Sequence, residues 1–322
     1  MKTLSDLCLL ARVEIRAWTG IKTDERATQE VADNHHTKTS IGRFQKNLLA
    51  SHKTQLGQIG QIAAQARVSA RNNSLPWHAE GLRMVPITSY EKFLARLEPI
   101  HKDFNEAVEQ FLTDYPNLIE AAKAELNGLF NQNDYPSVDE LRRTFNFRVC
   151  LEPVPSGSQF DGLLQDIRDD ASSAEIQLRE QFEQTMQKTR SQAREELRAR
   201  LVERLVQVWN SLSRFSTEEK ARFQNRMIEK TVDLCDLVME LNFESDAEIE
   251  SWAKQAKALL DGKCDEIRGS DTVCQDVIAK LEKLCREAGH VFESTSYGTS
   301  GEVILDAPST HDVMSEIFGS SV

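Results

Sequence analysis

The sequence predicts a mainly α-helical fold with a long helical arm, a helical bundle or coiled coil, and a small two-stranded antiparallel β ribbon. The first observation is a run of about a hundred residues, from Leu163 to Asp261, that contains neither Gly nor Pro. Such a run is typical of helices joined by polar turns. The second observation is a pair of short segments in which apolar and polar residues alternate, as they do in β-strands.

The two alternating segments are Leu7–Trp18 and Phe145–Leu151. In the first, Val13, Ile15 and Ala17 are separated by charged residues, which places the apolar side chains on one face. We expect the two segments to pair with each other, since each is the simplest partner of the other. A two-stranded ribbon is marginal alone in water, so helices should cover one of its faces.

The segment between the strands should form an antiparallel helical arm. Its first helix begins near Thr23, whose side chain is suited to cap a helix that opens with two acidic residues, and runs toward Ala70. The turn is at residues 72–77, which are rich in helix-breaking residues, and an irregular stretch follows to Pro86.

The return helix of the arm starts near Ser89 and ends before Pro116. Pro99 lies inside its pattern and predicts a kink or break there, because proline removes a backbone donor from the helix. A further helix covers Leu118–Phe130, and turn-forming residues follow it.

Beyond a linker at residues 153–157, apolar residues recur every three or four positions and predict one stripe along a long helix. The stripe consists of Ile167, Ala171, Ala174, Leu178, Phe182, Met186, Ala193, Leu197, Leu201, Leu205, Val208 and Leu212. Residues 216–219 and 245–248 each combine a capping residue with acidic residues and predict the starts of two further helices. A stripe this long has to be covered, so the helices should fold back on one another or meet another chain.

These patterns divide the chain into three parts. They are residues 1–152 with the β ribbon and the inserted arm, residues 153–290 as an acidic helical bundle or coiled coil, and residues 291–322 as a flexible tail with a short docking segment. Residues 1–150 carry 19 Lys or Arg against 18 Asp or Glu, whereas the remaining 172 residues carry 20 against 33. The net charge of −12 argues against wholesale binding of nucleic acid or of an anionic membrane, because either needs a positive face.

The cysteines and the N-terminus indicate a cytoplasmic protein. The six cysteines are scattered through apolar patterns without a closely spaced pair, and we expect buried thiols in a reducing compartment. The apolar patch near the N-terminus is interrupted by Asp6, Arg12, Glu14 and Arg16, so we expect neither a signal peptide nor a membrane anchor.

The strongest functional signal is a segment without acidic residues, from Asn34 to Ala79. It contains six cations, which are Lys38, Arg43, Lys46, Lys53, Arg67 and Arg71. One interpretation is a contact for the phosphates of nucleic acid, with neutral glutamines as further donors. The other is an arm packed on acidic helices of the same chain or of a partner. Gly57 and Gly60, followed by Ala63, Ala64 and Ala66, favour protein packing, since small residues allow helices to approach closely.

No motif indicates catalysis or a cofactor. The sequence lacks the glycine-rich loops of nucleotide-binding proteins and the nucleophile motif of hydrolases. Two groups of potential metal ligands lack the spacing of an ordinary metal site. They are His35, His36 and His52 in one group and Cys264, Cys274, Cys285 and His290 in the other. We therefore expect a protein that is not an enzyme and that holds no metal and no cofactor.

Two further features are candidate partner-binding sites. Trp77 and Arg83 belong to the stretch expected to shape the tip of the arm, where a tryptophan ring supplies contact area at low entropic cost. The alternative is that Trp77 caps the end of a helix pair. Residues 294–301 have the composition of a linker, and an apolar helical face follows them, made by Val313, Met314, Ile317 and Phe318. That face is suited to dock on another protein or another copy, and packing on its own bundle is the alternative.

Spaced landmarks carry a resemblance to a known family. They are Leu75–Pro86 with Tyr90, Phe111–Tyr115, Asp134–Ser137, and Phe145 leading to Pro153–Pro155. Across residues 5–290 the chain resembles a family of unknown function carried by bacteriophages and by integrative or conjugative elements, catalogued as domain of unknown function thirty-one fifty. The resemblance transfers no catalytic residues to this sequence.

The resemblance implies partners. Members of the family tend to be encoded beside a MoxR-type AAA+ ATPase and a protein with a von Willebrand factor A domain, which resemble metal-chelatase subunits. We therefore hypothesise a non-enzymatic helical adaptor or structural protein that assembles with that ATPase or with itself. The rival hypothesis is a nucleic-acid-binding protein of a mobile element that uses the six cations of the acid-free segment. An enzyme of unrecognised type is a third hypothesis.

Overall fold

The computed structural model describes residues 2–49, 53–156, 171–217 and 222–292, with side chains from residue 177 onward in the third range. Ten α-helices and six β-strands form within these residues. The predicted mainly α-helical class is therefore confirmed. Among the ranges described, every helix is too short or too polar to span a lipid bilayer.

The predicted pairing of the two alternating segments is confirmed. After a short helix, α1 (Leu4–Leu7), the segments form β1 (Cys8–Arg16) and β6 (Asn146–Pro153), which pair antiparallel along their length. The sheet is larger than the predicted ribbon, because β4 (Leu75–Pro76) and β5 (Arg83–Pro86) extend it to the order β4-β5-β1-β6. These two strands lie where the sequence predicts an irregular stretch. They are two and four residues long, too short for alternation to be recognised.

Helices cover both faces of the sheet, because successive side chains of a strand point to opposite sides. Ala11 and Val85 belong to the core beneath the arm helices. Leu10, Leu75 and Met84 belong to the core that the sheet shares with the C-terminal helices. The sheet therefore joins the arm to the bundle.

The first part of the arm is not one helix from Thr23 to Ala70. It consists of β2 (Ile21–Thr23), α2 (Glu25–Asn34), β3 (Gln45–Asn47) and α3 (Thr54–Asn72), and β2 pairs antiparallel with β3. Residues 35–43 contain a single large apolar residue, so no buried face holds that stretch in a helix. Asp24 rather than Thr23 caps α2, since its carboxylate accepts the backbone N–H of Ala27 at 3.0 Å.

The return part of the arm is a single helix, α4 (Tyr90–Leu126), with Pro99 and Pro116 inside it. The predicted end before Pro116 and the separate helix at residues 118–130 are therefore wrong. Both prolines are exposed, and the buried face continues along the helix, so packing offsets the lost hydrogen bonds. The buried residues are Phe93, Leu97, Ile100, Phe104, Val108, Phe111, Leu112, Tyr115 and Ala122. Two 3₁₀ turns and α5 (Val138–Thr144) then lead into β6.

The C-terminal half is a bundle built on α6 (Ala171–Thr217). The other helices of the bundle are α7 (Asn225–Leu241), α8 (Ala247–Leu260), α9 (Cys264–Gly269) and α10 (Asp271–Glu287). The predicted stripe is confirmed from Ala193 to Leu212, whose six members are buried. Leu178 is 41% exposed, and the core of the described residues reaches α6 only from Met186 onward. Ile167 and the side chains of Ala171 and Ala174 lie outside the described residues.

One of the two predicted helix starts in the bundle is confirmed. Asp246 caps α8, because its carboxylate accepts the backbone N–H groups of Glu248 and Ile249. The other prediction is wrong, since α6 continues through Thr217 and α7 begins at Asn225. The hydroxyl group of Ser216 accepts a hydrogen bond from the side chain of Gln275 at 2.6 Å.

Candidate functional site

An exposed loop between α2 and β3 carries the most open part of the acid-free segment. Residues 35–44 form this loop, which we call the α2–β3 loop, and all of them are exposed. The side chains of Ile41 and Phe44 are unusual there, because the two residues are 76% and 37% exposed. Lys38 and Arg43 add two cations, and the loop contains no carboxylate. Apolar side chains bordered by one sign of charge are typical of a surface that binds a partner.

The backbone of the α2–β3 loop is fixed at both ends. At the end of α2, His36 adopts a left-handed conformation with φ 52°, and the N–H of Thr37 donates to the carbonyl of Ala32 at 2.9 Å. This is a common way for a helix to satisfy its last carbonyl groups. At the other end of the loop, the N–H of Phe44 donates to Oγ1 of Thr28 at 2.9 Å. The exposed side chains are therefore carried on an ordered backbone.

Lys46, two residues beyond the loop, lies in a buried ion cluster that fastens the loop to the arm. Its Nζ donates to Oδ2 of Asp24 at 2.7 Å and to the carbonyl of Leu129 at 2.9 Å. It also lies 2.6 Å from Oδ2 of Asp134, whose Oδ1 is 2.7 Å from Nζ of Lys22. Lys46 is only 6% exposed. Two lysines and two aspartates therefore form a cluster in which the charges balance.

The cluster lowers the pKa of both carboxyl groups. The backbone N–H of Ala27, followed by Nζ of Lys46, lowers the pKa of Asp24. Burial raises the pKa of Asp134, but hydrogen bonds from Lys22 and Lys46 outweigh that effect and leave the pKa below 3.8. Burial likewise lowers the pKa of Lys46, and the two carboxylates raise it above its ordinary value. Asp24, Asp134 and Lys46 are therefore ionised at neutral pH.

The six cations of the acid-free segment do not form one stripe. Lys38 and Arg43 lie on the α2–β3 loop, and Lys53 is exposed directly before α3. Lys46 was expected to contact phosphates, and the structure corrects that expectation. Its charge is already neutralised by two carboxylates in a buried site, so a phosphate group cannot reach it without opening the cluster.

Arg67 and Arg71 lie near the C-terminal end of α3, away from the α2–β3 loop. Arg67 donates to the carbonyl of Ile15 at 3.2 Å, while Arg71 is exposed on the last turn. Since α3 has 19 residues, its ends are roughly 27 Å apart. The exposed cations therefore fall into two groups at opposite ends of the helix.

Two arginines hold the C-terminal end of α3. Arg83 on β5 donates to the carbonyl of Ser74 at 3.1 Å. Arg200 on α6 donates to the carbonyls of Asn72 and Ser74 at 3.1 and 3.0 Å. Glu196 accepts a hydrogen bond from Arg200 and lies 3.5 Å from Arg83. The cations satisfy carbonyl groups that the helix leaves unpaired, and they meet the negative end of its dipole.

The sequence predicts Trp77 and Arg83 at the tip of the arm, and the structure shows that they do not lie there. The residues between α3 and α4 form strands β4 and β5 beside the bundle. The α2–β3 loop lies at the other end of α4, since Lys46, two residues beyond the loop, contacts the carbonyl of Leu129. Trp77 packs half-buried against the bundle core, with its ring 4.4 Å from that of His78. Arg83 is engaged with α3. Both side chains join the arm to the bundle, and their contact with another protein stays a prediction.

Gly57 and Gly60 do not bring α3 close to another helix within the described residues. A Cβ atom at either position would meet no other atom within 4 Å. The face of α3 that packs against the arm core carries Ile59, Ala63 and Ala66 instead. The expected close packing of α3 is therefore made by Ala63 and Ala66, whereas Gly57, Gly60 and Ala64 are exposed and lie outside the packed face.

A polar groove of about 1020 Å³ lies where the arm meets the bundle. Its charged side chains balance, with four cations and four carboxylates. They are Arg96, Arg200, Arg204 and Lys230, and Glu203, Asp233, Asp236 and Glu240. Arg96 and Glu240 are paired across the groove at 2.8 Å. The groove offers no excess charge and no nucleophile beside a base.

The described residues hold no arrangement that indicates chemistry. None of their His, Cys, Asp and Glu side chains form a group of three or more placed to hold a metal ion. Burial raises the pKa of the Cys8 and Cys235 thiols to about 12, and a thiol that stays protonated is a poor nucleophile.

The tail residues with a predicted docking role, Val313, Met314, Ile317 and Phe318, lie outside the described residues. The last described residue is Phe292, whose ring packs 4.6 Å from that of Trp209 on α6. Arg286 stands over the same ring at 5.2 Å. The described part of the chain therefore ends against the bundle.

No protein-family model, no curated protein and no solved structure matches this chain.

Proposed function

We propose that this chain is a non-enzymatic helical adaptor or structural protein of a phage or mobile element, which assembles through protein contacts. The observation that carries the proposal is the α2–β3 loop, in which Ile41 and Phe44 are exposed on an ordered backbone beside Lys38 and Arg43. Apolar anchors supply desolvation energy and the charges at their border supply orientation, which are the two requirements of a specific protein contact.

The proposed partner is a MoxR-type AAA+ ATPase, together with a von Willebrand factor A domain protein, or another copy of this chain. The resemblance to the phage and conjugative-element family supports the ATPase, because its members tend to be encoded beside such proteins. In such systems an ATPase ring remodels or loads a client through an adaptor. The arm, held at its root by Arg83 and Arg200, is suited to present the α2–β3 loop to that partner.

The test mixes the purified chain with the MoxR-type ATPase encoded nearest to it. Binding is detected as co-migration of the two proteins in size-exclusion chromatography, with light scattering to measure the mass of the complex. The double variant Ile41→Ser, Phe44→Ser should weaken binding at least roughly tenfold, since each buried apolar side chain contributes about 1.5 to 3 kcal/mol. The variant Val68→Ser, which changes a residue 45% exposed on α3, is the matched control. A wild type that does not bind removes the ATPase from the proposal, and a loop variant that binds normally removes the loop.

Nucleic acid binding is the second candidate, and the exposure of Lys38, Arg43, Lys53, Arg67 and Arg71 favours it. This function predicts an affinity for single-stranded or duplex DNA that falls steeply with salt, because each neutralised phosphate releases a counterion. Replacement of Lys38 and Arg43 by Glu should then abolish binding, while Lys46→Met should matter only through folding. Binding that ignores salt, or an absence of binding at low salt, would reject this candidate.

A further inference from the structure

The tail of the chain carries the negative charge that the α2–β3 loop lacks. Residues 293–322 contain five acidic residues and neither Lys nor Arg. Asp312 and Glu316 are four residues apart and share one side of the predicted helical segment. They border the apolar face made by Val313, Met314, Ile317 and Phe318. The tail therefore combines an apolar face with an acidic border.

The α2–β3 loop carries positive charge, opposite in sign to that of the tail. Ile41 and Phe44 are its exposed apolar residues, and Lys38 and Arg43 stand beside them in sequence. Two acidic side chains of α2 have partners on that helix. Glu30 accepts a hydrogen bond from Arg26 at 3.0 Å, and Asp33 accepts one from Gln29 at 2.7 Å. The loop itself carries two cations and no carboxylate, so an acidic apolar segment would meet compatible charge there.

We propose that the tail of one copy of this chain docks on the α2–β3 loop of a second copy, with residues 312–318 as the docking segment. The proposal rests on the proposed function, because it names the partner of the same loop. Burial of Ile317 and Phe318 against Ile41 and Phe44 supplies the apolar contact. Asp312 and Glu316 pair with Lys38 and Arg43 at its border.

Docking on a second copy avoids a cost that docking within one copy carries. The described part of the chain ends on the bundle at Phe292, and the loop is at the far end of the arm. The stretch of α4 from Arg96, which contacts the bundle, to Leu126 spans about 45 Å at 1.5 Å per residue. A flexible chain of 25 residues, the number from Phe292 to Ile317, has an average span of about 28 Å. Docking within one copy would therefore stretch the tail beyond that average span, at a cost in conformational entropy.

A contact between the tail of one copy and the loop of the next is head-to-tail. An open assembly then keeps one unused tail at one end and one unused loop at the other, so the contact generates a ring or a filament. The same geometry supplies the test, because two copies with complementary defects can make only one contact.

The experiment uses two full-length variants and light scattering after size-exclusion chromatography. One variant carries Ile41→Ser and Arg43→Glu in the loop, and the other carries Ile317→Ser and Phe318→Ser in the tail. Each alone should have the mass of one chain, whereas the wild type is larger. Their equimolar mixture should have the mass of two chains and no more. The contact should weaken roughly tenfold between low and high salt, since its border is charged.

A control variant carries Val68→Ser and Arg226→Glu, which change exposed residues away from the loop, and it should keep the wild-type mass. Thermal melting of every variant checks that it is folded. The proposal is overturned by a wild type with the mass of one chain, by either docking variant that keeps the wild-type mass, or by a mixture that stays at one chain. If the mixture of the two variants stays at the mass of one chain while the ATPase still binds the loop, the adaptor function stands. Only the tail is then excluded as the ligand of the loop.

Discussion

Lys46 is the residue whose surroundings depart most from its sequence context. It lies in a segment of 46 residues without a carboxylate, yet it is buried between two aspartates. The pairing of β2 with β3 places it opposite Lys22, on the side that faces Asp134. Sequence reasoning could not find this cluster, because Asp24 and Asp134 lie far from Lys46 along the chain and a charge run by itself indicates a solvated face.

The first prediction concerns the removal of this charge. Lys46→Met should lower the free energy of unfolding at pH 7 by about 3 kcal/mol, because two carboxylates are left in a buried site with only Lys22. Urea unfolding of wild type and variant measures the difference. The control is Lys102→Met, which breaks an exposed pair with Glu106 and should change stability by less than about 0.5 kcal/mol.

The same cluster makes part of the free energy of unfolding depend on pH in the acidic range. The pKa values of Asp24 and Asp134 are lower in the folded protein than in the unfolded chain, so the unfolded chain binds more protons in acid. Their contribution is complete above about pH 5 and is lost as the pH falls through the folded values. The gap between wild type and Lys46→Met should therefore narrow as the pH falls from 5 to 2. A gap that stays constant over this range would show that the cluster does not hold these carboxylates ionised.

At the scale of the element, α3 and α4 show which structural features can be predicted from the sequence and which cannot. The apolar face of α4 is visible in the sequence, but Pro99 and Pro116 suggest interruptions that the packed helix tolerates because both are on its exposed side. On α3, a run of small residues suggests a helix contact, and Ala63 and Ala66 make it, whereas the two glycines and Ala64 are exposed. Residue type indicates that a close contact is possible and only the helical phase decides which residue makes it.

The second prediction uses the exposed glycines of α3. Gly60→Ala should raise the free energy of unfolding by about 0.5 to 1 kcal/mol, because alanine loses less backbone entropy in a helix and its Cβ meets open space. Thermal or urea unfolding measures the change. Gly20→Ala is the contrast and should destabilise, since Gly20 has φ +66° and its Cβ would lie 2.9 Å from Leu56. A destabilising Gly60→Ala would mean that another chain covers this face.

At the scale of the whole molecule, the four-stranded sheet is the common wall of two cores. Alternation in the sequence is sufficient to find β1 and β6 and to pair them. It does not reveal that β5 sends Met84 into the bundle core and Val85 into the arm core, because one strand of four residues carries no periodicity of its own. The predicted boundary near residue 152 therefore falls between a sheet and the helices that cover one of its faces.

The third prediction follows from the position of the four-stranded sheet between the arm core and the bundle core. Residues 1–156 expressed alone should aggregate or bind a hydrophobic dye, because removal of the bundle uncovers Leu4, Cys8, Leu10, Leu75 and Met84. At about 2 kcal/mol for each side chain, the loss is about 10 kcal/mol, comparable to the stability of an entire domain. Dye fluorescence and light scattering of the fragment measure the outcome. A monomeric fragment with cooperative unfolding would show that the arm and its sheet are an independent domain.

The two arginines at the end of α3 also determine how the molecule responds to force. Arg83 and Arg200 act as a fulcrum, and the α2–β3 loop is the tip of a lever about 45 Å long. Neighbouring helices at the fulcrum are about 10 Å apart, so a slip of 1 Å between them moves the tip by about 4 to 5 Å. A pull on the tip is multiplied at the root by the same ratio, and the hydrogen bonds that these two side chains make are among the contacts that oppose it.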